Sequence, residues 1–569
     1  MPLLLDLDGT PELRVMRQLA EALVYEGLVD YDVTRLGGKC RFEWRQDGVG
    51  IRCEGSIGAF GRVRIAPETL EQGYRGRWRP ATLGDVLASI DACPERRAQL
   101  AFELERTLGF CAWNARNLPL RQRRNLPFAQ LDSAMDEGHP YHPCFKARTG
   151  FDYDDHALYG PEAGNAFQLV WLAVAPERLD SAFPTDEQAF WTDELGAENY
   201  SILDERRARL GGHARRFGLM PLHPWQWKAL QDSELSRWLA EGSAGFLGQA
   251  GDHYTASQSV RTLFNRDHPQ RANLKLPMNL VNSSAKRIIE PHSVCSAPTI
   301  SLWLRDIVAS DPLFEERYPL TILGEYAGTI ADRDGPLAGQ IAAIWRENVI
   351  SCLQPGEAAV PLNALMVLET DGRPFVADWI ERYGLNVWLD RLVDAVVMPV
   401  YHLLVGHGIA TESHGQNLIL IHREGWPVRL AMRDFHDSVE YVPGFLRDPE
   451  RVPDFLALNP AYRDAAPNQH YWMESVELLG ELFLDALFVY NLAEISHLLR
   501  HSYGLDEAGF WSDVGRRLQN HSRQFGLTRR QAALGLFQPR IRTESLLRRK
   551  LSLPGAECSH EIPNSLAGA

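Results

Sequence analysis

Two short segments combine basic side chains with hydroxyl groups at a spacing suited to binding oxyanions. Residues 257–262 read Ser-Gln-Ser-Val-Arg-Thr, and residues 275–287 begin with a lysine and end with a Lys-Arg pair. Both are strand-like stretches rather than glycine-rich loops. Arginine and lysine interleaved with hydroxyls hold phosphate and carboxylate oxygens by directed, charge-assisted hydrogen bonds. The two segments therefore predict a site for a nucleotide and an anionic substrate.

A hairpin is predicted in the last third of the chain. Two apolar, branched runs flank Arg-Glu-Gly-Trp at residues 423–426, a sequence typical of a glycine turn. If His422 pairs near Pro427, then Asn417 lies opposite about Met432. The hairpin would bring the polar stretches at its open end together.

Those stretches are His-Gly-Gln-Asn at residues 414–417 and Arg-Asp-Phe-His-Asp at residues 433–437. They place Asn417 beside Asp434, with His436 farther along the same strand face. Kinase-like phosphotransferases use an Asn and an Asp in this way to hold Mg²⁺ at the terminal phosphates of a nucleotide. The alternative is that Asp434 is a turn carboxylate and Asn417 a cap, and the residues alone leave both open.

A third segment, residues 138–150, reads Gly-His-Pro-Tyr-His-Pro-Cys-Phe-Lys-Ala-Arg-Thr-Gly. Its two histidines and its cysteine could be drawn as a metal site, but they lack a second ligand cluster at a usable spacing. Lys146 and Arg148 follow them immediately. The segment therefore favours an anion clamp.

Composition sets the outer limits. The chain has 569 residues, 45% hydrophobic and 23% charged, which is enough for two to four globular domains. A net charge of −15 argues against a nucleic-acid partner, although a local basic pocket can still bind an anion because distant charges are screened. The eight cysteines have no CxxC spacing and predict reduced core thiols.

No membrane partner is expected, and the predicted location is cytoplasmic. The N-terminus lacks a basic segment followed by a long apolar run. The longest apolar stretch, residues 392–410, contains Asp394, Pro399 and two histidines, so it predicts a buried helix rather than a membrane span.

Local patterns predict an α+β protein in three regions. Apolar residues at helical spacing predict a helix over about 11–29, and alternation over 40–53 predicts a hairpin. A second hairpin is predicted around Asp371 and Gly372, before long helical patterns. The predicted domains are residues 1–127, 128–360 and 361–569.

Common nucleotide and catalytic motifs are missing from this sequence. It has no GxxxxGK[ST], no GxGxxG after a strand, no HExxH and no GxSxG. The basic segments therefore predict a nucleotide site of a less common class.

In order along the chain, the motifs resemble those of the NRPS-independent siderophore synthetases, the family of aerobactin and achromobactin synthetases. The resemblance rests on residues 138–150, 159–162, 223–226, 257–262, 275–287, 414–417 and 433–434. Each motif is weak alone, whereas the ordered set is highly specific. One departure is Ser283-Ser284, where the family often has Thr followed by a small or polar residue; the hydroxyl is kept.

The resemblance implies a cupped-hand architecture, with a thumb (1–127), fingers (128–360) and a palm (361–569) distantly similar to protein kinases. It implies ATP-dependent adenylation of a carboxylate of citrate or a related polycarboxylic acid. An amine, amino acid or amino alcohol would then attack, releasing AMP after the earlier release of pyrophosphate. ATP and Mg²⁺ are the expected cofactors, and a homodimer is the expected assembly.

The resemblance also assigns residues by position, and some of them serve more than one role. The expected catalytic residues are His414, Arg287, Lys275 and Arg261. The expected acid-binding residues are His139, His142, Lys146, Arg148, Arg287 and His414. The expected nucleotide-binding residues are Ser257, Ser259, Arg261, Thr262, Lys275, Ser283, Gln416 and Asp434. The expected Mg²⁺ ligands are Glu412, Asn417 and Asp434.

Two other classes of protein remain possible from the sequence. A kinase-like phosphotransferase acting on a small anionic metabolite would use Asn417 and Asp434 equally well, but would not require the histidine-rich segment at 138–150. A non-catalytic ferric-citrate or anion-binding protein would need no nucleotide.

Overall fold

The computed structural model describes residues 10–46, 48–282, 286–553, 556 and 558–568. Within them, helices and mostly antiparallel sheets alternate, which confirms a mixed helix and sheet fold. The α-helices are Pro11–Tyr25, Leu83–Ala88, Pro94–Asn117, Phe128–Ser133, Tyr153–Tyr159, Glu187–Leu195, Ala197–Arg209, Pro224–Leu230, Glu234–Glu241, Ala297–Ser310, Leu313–Glu316, Ala377–Tyr383, Leu385–Leu392, Met398–His402, Phe455–Leu458, Val476–Phe483, Ala493–Tyr503, Glu507–Gln524, Thr528–Ala533 and Leu546–Leu551.

The first helix and the sheet after it follow the sequence pattern. Thr10 caps the helix, Pro11 occupies its first turn, and its apolar face is buried. The hairpin predicted over 40–53 is confirmed, with Phe42 paired to Cys53. We call this sheet the N-terminal sheet, and its strands are Tyr31–Leu36, Lys39–Gln46, Val49–Ile57, Val63–Ile65, Glu71–Tyr74 and Arg77–Pro80.

The largest sheet, here the central sheet, lies in the middle of the chain. Its strands, in spatial order, are Leu179–Ala182, Glu325–Ala331, Ala342–Arg346, Asn273–Lys275, Thr262–Asn265, Ala244–Ala256, Phe167–Val174 and Gly218–Leu222. Separate apolar clusters cover its two faces. Strands covered on both faces need nearly continuous apolar sequence, as Phe167–Val174 has.

A further sheet, here the C-terminal sheet, contains the predicted hairpin. In spatial order its strands are Leu320–Ile322, Trp426–Met432, Leu418–Arg423 and Ala358–Pro361. His422 pairs with Pro427, as predicted, but an irregularity after Ile421 places Leu418 opposite Met432. Asn417 therefore lies opposite Arg433, one residue from the predicted partner. Because this sheet combines strands from both sides of residue 360, the three domain boundaries stay a prediction.

Short two-stranded pairings complete the described strands: Met278–Val281 with Lys286–Arg287, Ile409–Thr411 with Val439–Tyr441, and Arg540–Glu544 with Ser559–Pro563.

The prediction of a hairpin around Asp371 and Gly372 is wrong, because its two strands do not form. Residues Leu362–Met366 form a 3₁₀ helix, and only an isolated bridge joins Leu368 to Pro374. The tight turn forms, but the bridge cannot extend beyond Pro374, because the chain enters the helix Ala377–Tyr383 almost at once.

The apolar stretch 392–410 contains the buried helix expected from its sequence. π-helical segments at Val393–Val397 and Leu403–His407 interrupt this helix, and Gly408 ends it with φ +84°. A third π-helical segment is Leu484–Leu492. Of the described helices, none combines the length and apolar character that a membrane span requires.

The N-terminal region and the C-terminal helices share one apolar core. Phe60 packs edge-on against Trp511 with ring centroids 4.8 Å apart, and Arg62 donates to Glu494 at 2.7 Å in the same buried region. The cysteines are free thiols, as predicted, although Cys93 is exposed rather than in the core.

Candidate active site

The first basic segment forms the tight connection between two strands of the central sheet. The Ser257 amide donates to the Thr262 carbonyl at 2.8 Å, and Val260 adopts φ +69° to close the turn. The Ser259 hydroxyl accepts from the Thr262 amide at 3.1 Å. We call residues 257–262 the Ser-Arg turn. It presents Arg261 at its end, where the guanidinium donates to the Ile288 carbonyl.

Strand pairing brings the two basic segments to one end of the central sheet. Thr262 pairs with Lys275, and the Leu276 amide donates to the Arg261 carbonyl at 2.9 Å. The spacing of both segments thus produces the clustering of charge that the sequence predicts. Ser283 lies outside the described residues.

Asp434 faces this end of the central sheet from the open end of the C-terminal hairpin. Its Oδ1 accepts from Lys275 Nζ at 3.1 Å and from Arg346 at 2.6 Å. Burial alone would raise the pKa of Asp434, but Arg346 and Lys275 hold it well below its usual value. Both contacts use the same oxygen, Oδ1.

The strand ends at Met432, so the prediction that His436 lies on the same strand face is wrong. Asp434 adopts φ +66°, which turns the chain out of the strand direction. As a result, the His436 ring also reaches Lys275, with Nε2 3.1 Å from Nζ.

Glu325, fully buried on a neighbouring strand, fixes this turn. Its Oε2 accepts from the backbone amides of Phe435 and His436 at 3.1 and 3.0 Å, and its Oε1 lies 2.7 Å from His436 Nδ1. Burial alone would lower the pKa of His436, but the Glu325 charge raises it to about 9. Asp437 also lies 3.1 Å from His436 Nε2. Three positive groups therefore face three carboxylates here: the His436 imidazolium, Lys275 and Arg346 against Glu325, Asp434 and Asp437.

Arg287 and Arg261 belong to the same electrostatic neighbourhood. Burial and the nearby Arg261 together lower the pKa of Arg287 to about 10, although Glu412 and Asp434 act in the opposite direction. Burial also lowers the pKa of Arg261. Cations this close repel one another, so a polyanion bound between them would relieve the repulsion.

The His-Gly-Gln-Asn loop carries His414 at the edge of this region. The Gln416 amide donates to His414 Nδ1 at 3.2 Å, and Glu412 Oε2 lies 3.8 Å from His414 Nε2. The side-chain nitrogen of Asn417 donates to the Glu412 carbonyl at 3.0 Å.

The three residues predicted to bind Mg²⁺, Glu412, Asn417 and Asp434, offer hard oxygen donors of the kind that Mg²⁺ prefers. Asp434 fits best because its carboxylate adjoins Lys275 and Arg346, cations that could also hold phosphate oxygens. The assignment of Mg²⁺ to these residues stays a prediction.

A buried ion pair braces the Ser-Arg turn against the His-Gly-Gln-Asn loop. Asp132 accepts from the Gln258 amide at 3.0 Å with one oxygen and from Arg433 at 3.0 Å with the other. Arg433 also donates to the Gln416 carbonyl at 2.8 Å. Asp132 lies near the end of the helix Phe128–Ser133, so the pair connects the two motifs through a helix that belongs to neither.

Lys146 and Arg148 lie in a separate buried cluster. Arg148 binds Glu162 through two hydrogen bonds of 2.8 Å, and Lys146 binds the same carboxylate at 2.9 Å and also contacts Asp136. Gln258 donates to Glu162 at 3.4 Å, so the cluster supports the Ser-Arg turn from behind. These cations already have anionic partners, and their role in binding the acid stays a prediction.

The cluster borders an open cleft of about 630 Å³ that Asp136, Glu162 and Glu369 help to line. The cleft is large enough for a small organic molecule.

The two histidines of residues 138–150 differ in their surroundings. His139 accepts from two backbone amides through Nδ1, and burial together with the nearby His414 lowers its pKa to about 3. His142 is buried, accepts from the Cys144 amide at 3.0 Å, and leaves Nε2 without a partner among the described residues. His139 is therefore the histidine of this segment that lies close to His414.

Sequence reasoning missed Arg346, Glu325 and Asp132. The available signal for Arg346 was a charged residue ending the apolar run Ala342–Arg346. Glu325 likewise begins a buried strand. Neither signal reveals the contact partner, which is Asp434 for Arg346 and His436 for Glu325.

Comparison with known proteins identifies the family. The IucA / IucC family model matches residues 127–367, and a model described as ferric iron reductase FhuF-like transporter matches residues 386–556. A citryl-spermidine/3,4-dihydroxybenzoyl-citryl-spermidine:spermidine ligase of Bacillus anthracis is 33% identical over 97% of this chain and 93% of its own length. An aerobactin synthase of Escherichia coli is 29% identical over 79% of this chain and 78% of its own.

Among solved structures, the petrobactin biosynthesis protein AsbB from Bacillus anthracis superposes with a TM-score of 0.92, at 32% identity over 98% of this chain and 95% of that one. The chain therefore belongs to the NRPS-independent siderophore synthetases, the IucA / IucC family. The reductase-like match covers only the C-terminal part and assigns no reductase activity.

Proposed function

We propose that this protein is an ATP-dependent ligase of siderophore biosynthesis. It adenylates a carboxylate of citrate or a citrate derivative and then joins the acyl group to an amine or alcohol. The observation that carries the proposal is the convergence of Arg261, Lys275, Arg287 and Arg346 at one end of the central sheet, facing Asp434. The ligase and synthase names of relatives matching most or nearly all of the chain support it.

The first step joins two anions, and the cations make it possible. A carboxylate oxygen attacks the α-phosphorus of ATP, and the bond to the β-phosphate breaks, releasing pyrophosphate. Arg261 and Arg287 supply guanidinium groups suited to two-point contacts with phosphate or carboxylate, and Lys275 supplies a point charge. Positioning of this kind contributes on the order of 7–11 kcal/mol.

In the second step the amine nitrogen or alcohol oxygen attacks the acyl carbon, and the bond to the AMP oxygen breaks. The nucleophile loses its proton, and AMP leaves. His139 and His414, which lie near each other, would contact the acid in this proposal. Mg²⁺ bound to Asp434 would supply further positive charge at the phosphates. The cupped-hand arrangement and the kinase-like palm are part of this proposal.

Citrate is the proposed acid because the site offers more cations than a monoacid needs. The test measures pyrophosphate, AMP and ADP with ATP and Mg²⁺ in the presence of citrate or 2-oxoglutarate, with and without spermidine, putrescine or ethanolamine. We expect citrate to support the faster release of AMP and pyrophosphate in equal amounts.

Faster turnover with 2-oxoglutarate would contradict the choice of acid. ADP without AMP would instead favour the phosphotransferase reading, and no nucleotide turnover or binding would favour an anion-binding protein.

A further inference from the structure

A second cluster of ligand-forming side chains lies outside the candidate active site. It consists of Asp311, just after the helix Ala297–Ser310, and of His402 and His407 on the long buried helix. Both rings direct Nε2 to the same carboxylate oxygen, with His402 at 3.1 Å and His407 at 3.0 Å from Asp311 Oδ2. We call these residues the Asp-His-His cluster.

The π-helical segment makes this convergence possible. His402 and His407 are five residues apart, and in a regular α-helix residues at that spacing point about 140° apart around the axis. The π-helical hydrogen bonding of Leu403–His407 adds a residue to the turn and brings both rings to one face. Insertions of this kind occur frequently at functional sites.

The contacts on Asp311 are distributed unevenly between its two oxygens. Oδ2 has three potential donors, because Arg447 also approaches it at 3.1 Å, whereas Oδ1 accepts from the Leu313 amide at 3.0 Å. A carboxylate oxygen has about two lone-pair directions. Three donors therefore exceed what Oδ2 can accept in good geometry, and a cation beside it would satisfy the carboxylate and both rings together.

We propose that Asp311, His402 and His407 bind a divalent transition-metal ion of the Zn²⁺ type. Two imidazole nitrogens and one carboxylate oxygen are a common ligand set for such ions. Ligand atoms about 2.1 Å from one tetrahedral ion are about 3.4 Å apart, so the rings and the carboxylate would move apart by only a few tenths of an ångström from their present 3.1 and 3.0 Å. Arg447 is more than half exposed and can move into solvent when the ion binds.

Outer contacts orient one of the rings. His402 Nδ1 lies 3.0 Å from His521 Nε2, and His521 Nδ1 lies 3.4 Å from the Tyr318 hydroxyl. Such chains fix the tautomer of a metal-binding histidine, and loss of an outer partner typically weakens metal binding by about 10–100-fold. His407 Nδ1 is buried and has no partner among the described residues.

The test uses the full-length protein, stripped with EDTA and then dialysed against Zn²⁺. Bound metal is measured by mass spectrometry, Zn²⁺ affinity by competition with a chromophoric chelator, and coordination by the absorption spectrum after Co²⁺ substitution. The variants are His407→Gln, Asp311→Asn and the milder His521→Gln, each checked for folding by circular dichroism. His422→Gln is the matched control, since His422 is another buried histidine that binds only a backbone amide.

We expect one Zn²⁺ per chain in the parent and in His422→Gln, and none retained by His407→Gln or Asp311→Asn. Affinity in His521→Gln should fall by about 10–100-fold. Equal Zn²⁺ content in the parent and in His407→Gln would overturn the proposal. Loss of the ion in His436→Gln but not in His407→Gln would assign it to the candidate active site and overturn it equally.

Discussion

Arg261 and Lys275 differ in how directly their substitution reports on nucleotide binding. Arg261 is half-buried at the end of a turn, whereas Lys275 is 6% exposed and balances Asp434 within a buried charge cluster. Removing Lys275 therefore also disturbs the charge balance of this cluster, because Asp434 would keep only Arg346 of the two cations that contact it. Arg261 gives the cleaner test.

Arg261→Ala should reduce citrate-dependent pyrophosphate release by about 100-fold or more, because it removes a charge that opposes the charge of the transition state. Arg261→Lys should restore only part of the rate, since lysine lacks the planar fork. Lys275→Ala should lose activity and also unfold at lower denaturant. The control is Arg266→Ala, an exposed arginine just after the strand Thr262–Asn265. A near-parental rate in folded Arg261→Ala would remove that residue from the site.

Asp434→Asn tests the metal assignment at nearly constant side-chain volume. If Asp434 holds Mg²⁺ at the nucleotide phosphates, the variant should need much more Mg²⁺ or lose turnover. His436→Ala should also lower the rate, because His436 contacts Lys275 and Glu325, but it should keep the parental Mg²⁺ requirement. The measurement is rate against Mg²⁺ concentration for the three proteins. An unchanged Mg²⁺ dependence in Asp434→Asn would exclude the metal role.

The residue types of the site were largely readable from the sequence, whereas their partners were not. Arg261 and Lys275 come together through strand pairing, and Asp434 contacts Lys275, which agrees with the grouping that the resemblance implies. Arg346 and Glu325 stand on strands remote in sequence, and their contacts depend on how those strands pair across the sheet. The same limit applies to Lys146 and Arg148, whose buried partner Glu162 could not be assigned from the local pattern.

At the level of elements, the Asp132–Arg433 pair joins the Ser-Arg turn to the loop carrying His414. Both side chains are buried, so neither charge has water as an alternative partner. Loss of the Asp132 charge would leave Arg433 without its carboxylate partner and would weaken the hydrogen bond from the Gln258 amide, which a neutral oxygen accepts less strongly.

Asp132→Asn should lower the free energy of unfolding by about 3–5 kcal/mol, the usual cost of breaking a buried ion pair. It should raise the KM for ATP more than it lowers kcat, since Asp132 positions the turn rather than touching the reacting atoms. Glu561→Gln, in the exposed Arg540–Glu561 pair, is the control and should change stability by at most about 1 kcal/mol. Denaturant unfolding and steady-state kinetics check both. Equal, small effects in the two variants would show that the Asp132–Arg433 pair does not hold the Ser-Arg turn in place.

Local patterns predicted elements well where one face of an element is buried. The first helix and both strands of the 417–433 hairpin form as expected, because their apolar periodicity matches the faces they bury. The hairpin predicted around Asp371 and Gly372 did not form, because the apolar residues before it are buried by a 3₁₀ helix and not by a strand pair. The one-residue register shift after Ile421 has no signal in the sequence.

At the scale of the whole molecule, the two ends of the chain pack against each other. The Arg62–Glu494 pair and the Phe60–Trp511 contact place the N-terminal region on the C-terminal helices. The central sheet lies between them in sequence, and its motif-bearing end meets the C-terminal sheet through Asp434. The domain boundaries and the homodimer stay predictions. Light scattering of the purified protein can test whether it is a homodimer.

The central chemical step of the proposed function is direct attack of a citrate carboxylate on the α-phosphorus of ATP. The most direct test supplies citrate labelled with ¹⁸O in its carboxylates, together with ATP, Mg²⁺ and spermidine, and measures the label in the products by mass spectrometry. Attack at the α-phosphorus predicts AMP carrying a single ¹⁸O, because the labelled oxygen stays on phosphorus when the amine displaces it. Unlabelled AMP, or label in inorganic phosphate formed together with ADP, would contradict the adenylation mechanism.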